Sequence, residues 1–151
     1  MGWAILLHLL GIVVWVGGMF FAYVVLRPTA AQLLEPPLRL SLWGGVFRRF
    51  FPWVWGSVAL ILFSGLYMIM ALGGFGAIAP YIHVMFLAGI VMMLIFSYVY
   101  FVPYPHLAQA VSIQDWKSGG ETLAMIRKLI GINLSIGLIN ILIGISGRML
   151  G

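Results

Sequence analysis

The chain has 151 residues, of which 64% are apolar and 7% charged, with a net charge of +5 and no cysteine. So few charges cannot cover a water-facing surface, which excludes a soluble globular domain and directs the apolar exterior towards lipid. Without cysteine there is no disulfide, thiolate metal centre or thiol catalysis. The basic excess lies at segment ends, where it reads as a topology signal and not as a nucleic-acid surface.

The first apolar stretch, 3–26, is long enough to cross a bilayer and is closed by Arg27-Pro28. No basic region precedes it, so it reads as a retained helix and not as a cleaved signal peptide. His8, Gly11, Trp15, Gly18 and Ala22 recur at helical spacing and form one face. Glycine on that face permits close approach of another helix or of a flat ligand. The connection 27–50 carries Arg27, Arg39, Arg48 and Arg49 against Glu35, and mixes them with Leu, Trp and Phe. That mixture predicts a short interfacial helix with Trp43 at headgroup depth.

A second span, 51–72, is opened by Pro52 and closed by Gly73-Gly74, and the following 73–80 segment has no charge. A third, 81–102, is opened by Pro80 and closed by Pro103. Its predicted inner face is His83, Ile90 and Ser97, with Phe86 or Leu87. The connection 103–128 contains His106 and carries Lys117, Arg127 and Lys128 against Asp115 and Glu121; Ser112 is the expected cap of a short turn, and a helix is expected from Thr122. The fourth span, 129–147, repeats Asn133, Gly137, Asn140 and Gly144 on one seam. Amides in lipid are unfavourable, so that seam should face the interior. The fold expected is all-α: one integral membrane domain over 1–151, a transmembrane four-helix bundle.

Counting Lys and Arg, the three connections hold four, none and three. The positive-inside rule then places the first and third in the cytoplasm and both termini outside, with the bacterial inner membrane as the expected setting. On that topology His8 and His83 share a leaflet, each within about 10 Å of the outer interface. His106 lies on the opposite side. An intramembrane ionisable residue is a functional-site candidate by default. Two such imidazoles suit the axial positions of haem b, with Gly11, Trp15 and Gly18 lining the pocket and Asn140 as a supporting hydrogen-bond partner. They also suit a copper ion, with Met85 adding a thioether. The expected role on the haem reading is electron transfer, with a quinone or a periplasmic redox partner, and any enzyme would be a membrane oxidoreductase. The alternatives are copper binding or uptake, and a cofactor-free assembly subunit. Homo-oligomerisation stays open.

Three segments carry a family likeness: HLLGIVVWVGGMFFAYVVLRP, HVMFLAGIVMMLIFSYVYF and IRKLIGINLSIGLINILIG. They resemble the small four-helix membrane proteins of the CopD (copper resistance protein D) family, most specifically in a histidine followed seven residues later by W-x-G-G. The resemblance implies copper handling in the outer leaflet or periplasm. A more distant similarity is to HemJ, the membrane protoporphyrinogen oxidase. That family has a histidine in its first helix and His-x-Lys in its third. Here the third-helix element reads His83-Val84-Met85, which speaks against that oxidation and leaves the histidines as metal or haem ligands.

Overall fold

The computed structural model describes residues 1–150, the side chain of Leu150 excepted. Helix α1 (Gly2–Phe20) runs through a wide π-helical stretch (Phe21–Leu26) into α2 (Arg27–Leu33), making one continuous rod. The remaining helices are α3 (Pro36–Ala71), α4 (Pro80–Phe101), α5 (Pro103–Ser112) and α6 (Trp116–Leu150). Four rods of 32, 36, 33 and 34 residues are long and apolar enough to cross a membrane. The protein is a multi-pass membrane bundle.

The rods are longer than the hydropathy pattern alone predicts. At 1.5 Å per residue, 36 residues extend about 54 Å, well beyond a hydrocarbon core of about 30 Å. The arginine-bearing segment expected as a separate interfacial helix is the first half of α3. Pro52 does not open that helix but sits inside it, where its missing N–H leaves one carbonyl of the preceding turn without its helical partner. α6 begins at Trp116, before the expected Thr122, because Asp115 supplies a cap: the Ser118 N–H donates to Asp115 Oδ1 at 3.2 Å. The glycine punctuation holds. Gly73 (φ +102°) and Gly74 (φ +84°) turn the chain out of α3, and the Gly74 N–H closes the turn on Ile69 O at 2.9 Å.

α1 packs extensively on α3, and α4 on α6, each pair antiparallel. α1 and α6 meet where Val16 and Tyr23 reach Gly137 and Gly131, and α3 meets α4 through Phe51, Trp55, Phe96 and Tyr100. α1 and α4 are therefore diagonal, touching across the core where Trp15 meets Phe96, centroids 6.1 Å apart. The N-terminus and the 72–79 turn share one end, here the turn end. The 34–35 and 113–115 connections share the other, the basic end.

The buried core is uneven. Trp15, Trp43, Phe47, Phe51 and Phe96 fill the half towards the basic end with Leu107, Leu123 and Ile126. Phe47 and Phe51 stack at 5.0 Å, and Phe96 meets Phe51 edge-on at 5.4 Å. Towards the turn end the helices meet through small residues instead. A Cβ on Gly11 would lie 2.8 Å from Ile61 Cγ1, and one on Gly144 would lie 2.8 Å from Met85 Cε.

Candidate functional site at the turn end

His8 lies about two turns into α1, half-buried against α3. Its Nδ1 is 3.0 Å from Ser64 Oγ. The Ser64 hydroxyl, itself buried, donates back to the Leu60 carbonyl of its own helix. A serine has one proton to give, so Ser64 Oγ accepts from His8 Nδ1–H. That arrangement favours the Nδ1–H tautomer, with the lone pair on Nε2, the form in which a supported histidine ligates a metal. Gly65 makes room for the ring: a Cβ there would lie 3.3 Å from His8 Cε1.

The predicted face of α1 is the one that packs. Gly11 and Trp15 are buried, and Gly18 lies under Phe50 of α3. The two glycines are occupied by side chains of α3, Ile61 at Gly11 and Phe50 at Gly18, so the room they leave is already filled.

The Asn/Gly seam of α6 faces α4. Asn133 Nδ2 donates to Met92 O at 3.2 Å, and Asn140 Nδ2 donates to Met85 O at 3.1 Å. Gly137 and Gly144 receive the ends of Met92 and Met85. The unit repeats after seven residues on both helices. Each amide's Oδ1 is buried with no partner among the described residues. Asn140, expected beside the histidines, instead clips α6 to α4.

His83 does not face the interior. It is exposed, with Nε2 3.0 Å from Phe75 O and Nδ1 3.4 Å from Ala79 O, and its ring lies beside Phe75. The inner face of α4 is Met85, Met92, Phe96 and Val99, and His83 precedes Met85 by two residues, about 200° around the helix. The expected interior with two histidines thus becomes an interior edge with one. Leu87 is likewise exposed, while Phe86, Ile90 and Ser97 are only half-buried. The residues present do not fit haem b. His83 is turned towards carbonyls of the 72–79 turn, and the α1 glycines that would admit a macrocycle are filled.

Among the described residues no three His, Asp or Glu side chains gather as a metal-binding set. A methionine does come level with His8. About two turns from Val16 along α1 lies His8, and about two turns from Gly137 along α6 lies Gly144, on which Met85 Sδ packs. Sequence reasoning missed Ser64, because a serine in an apolar helix gives no signal until its distance to a histidine is known.

No curated protein and no solved structure matches the chain. The sequence model of the family described as copper resistance protein D matches residues 44–146, from within α3 through most of α6. His8 lies outside that stretch, and Met85, Asn133 and Asn140 lie within it. With about two thirds of its length matched, this multi-pass membrane chain belongs to the copper resistance protein D family.

Proposed function

We propose that the protein handles monovalent copper at the turn end of the bundle, with His8 Nε2 and the Met85 thioether as its donors. The observation that carries this reading is the Ser64 contact, which favours the tautomer of His8 that a metal site would use. A neutral imidazole and a thioether form a soft, uncharged donor pair, which suits Cu(I) better than a hard divalent ion. The absence of any Asp or Glu from the spans 3–26, 51–72, 81–102 and 129–147 is consistent with this. His83, exposed at the same end, stands at the rim where an ion would arrive. Basic residues concentrated at the opposite end support a cytoplasmic basic end in a bacterial inner membrane, with both termini and the copper site outside. Copper here is cargo passing through the protein's donors.

The test is anaerobic competition for Cu(I) between the detergent-purified protein and a chromophoric chelator. The wild type should take copper from the chelator, and His8→Ala and Met85→Leu should each weaken binding at least about tenfold. Ser64→Ala should weaken it by about tenfold, as expected for loss of the group that orients a ligand. Affinity unchanged in all three variants refutes the reading. A Soret band in protein from haem-replete cells, lost in His8→Ala and His83→Ala, would establish haem b in place of copper.

A further inference from the structure

At the basic end, Arg27 of α2 and Arg127 of α6 line one small cavity, with Trp43 and Phe47 of α3 and Tyr23 beneath them. Both arginines are half-buried. The other cations of this end are differently placed: Arg48, Arg49, Lys117 and Lys128 are exposed, and Arg39 donates to the Leu34 carbonyl at 3.3 Å. The chain's three carboxylates are also elsewhere. Glu35 and Glu121 are exposed, and Asp115 caps α6. The two half-buried arginines therefore flank one small, apolar-walled space with their stems, and among the described residues no side-chain carboxylate is paired with either, which leaves their charge to an anion from outside the protein.

The local backbone is built to hold Arg27 there. Its guanidinium lies over the Tyr23 ring, 4.8 Å from the centroid. Tyr23 is seated on Gly131, where a Cβ would lie 2.9 Å from the ring. Arg127 is one turn from Gly131 along α6, on the same face. The π-helical stretch Phe21–Leu26 ends at Arg27, whose N–H donates to Ala22 O. Wider turns at this point accommodate Pro28, whose ring would collide with the Val24 carbonyl in a regular α-helix, and they offset the face on which Arg27 emerges.

Depth identifies the anion. Arg27 lies 25 residues beyond Gly2, a rise of about 37 Å. A hydrocarbon core is about 30 Å thick, so a span entering at the turn end delivers Arg27 to the headgroup layer of the opposite leaflet. We propose that Arg27 and Arg127 bind the phosphate of one anionic phospholipid in the leaflet at the basic end. A guanidinium matches phosphate oxygens by its fork geometry, and basic side chains between transmembrane helices at the cytoplasmic side are a known form of headgroup site. This site is independent of the copper reading.

Native mass spectrometry of the full chain, released from micelles doped with equal phosphatidylglycerol and phosphatidylcholine, tests it. The wild type should retain one phosphatidylglycerol in preference to phosphatidylcholine. Arg27→Gln with Arg127→Gln should lower that retention about tenfold or more, and Lys117→Gln should leave it unchanged. If the double variant does not fold, Arg127→Lys, which keeps the charge and loses the fork, should still weaken retention severalfold. Equal retention of both lipids, retention unaltered by the arginine changes, or an equal loss in Lys117→Gln overturns the site. Thermal stabilisation by inorganic phosphate equal to that by phosphatidylglycerol overturns the lipid as its occupant.

Discussion

Replacing Asn133 with leucine should stabilise the protein, against the usual expectation for a buried hydrogen-bonding residue. Asn133 is 3% exposed and makes one hydrogen bond, to Met92 O. Interhelical hydrogen bonds in membranes average about 0.6 kcal/mol. Losing this one orphans nothing, because Met92 O keeps its helical partner within α4. Asn133 Oδ1, in contrast, is buried with no partner, and relieving an unsatisfied buried acceptor is worth about 1–3 kcal/mol. The difference favours leucine by about 1 kcal/mol. The extra volume has somewhere to go, because Asn133 lines a cavity of about 20 Å³ beside Trp15 and Phe96. The assay is reversible unfolding of the purified protein in mixed micelles with increasing denaturing detergent. Asn133→Ala is the control, since it removes the same acceptor but leaves a hole. Destabilisation of Asn133→Leu by more than about 1 kcal/mol would refute the reasoning and mean that Oδ1 has a partner, such as a water filling that cavity.

Gly11→Ala should destabilise by about 1–3 kcal/mol. Its Cβ would lie 2.8 Å from Ile61 Cγ1 and 3.1 Å from Ser57 O, and the backbone oxygen cannot step aside. Thermal unfolding checks this, and a fall in Cu(I) affinity should accompany it, because His8 and Ser64 lie one turn away. A cysteine at Ala77, in the uncharged 72–79 turn, should react with a membrane-impermeant thiol reagent in intact cells, while one at Gln114 should react only after permeabilisation. The reverse pattern inverts the orientation and moves the copper site to the inner leaflet.

The apolar runs revealed the four spans because the bilayer demands them at near-fixed length. The Asn/Gly seam was also legible, since amides at helical spacing have to face protein. Helix ends were less so. Beyond the hydrocarbon, hydropathy no longer distinguishes a continuing helix from a loop, and α3 and α6 run on through segments whose arginines and polar residues read as connections. The direction of His83 was missed for a different reason. Leucine, valine and methionine surround it on all sides of α4, so periodicity alone had no polar face to align. Packing decided instead, with Met85 and Met92 fitting Gly144 and Gly137 and turning His83 outward. Ser64 became meaningful only when α3 was folded onto α1.

The unequal filling of the core has a mechanical consequence. The molecule is two hairpins, α1 with α3 and α4 with α6, locked together by an aromatic knot at one end. At the other end the hairpins are joined by the 72–79 turn between α3 and α4, while the tight contacts of Gly11 with Ile61 and of Gly144 with Met85 lie within each hairpin. Such a pair is stiff where the rings pack and tethered by a single loop at the opposite end. His8 belongs to one arm and Met85 to the other. An ion held by both would add a second tie between the arms beside that loop.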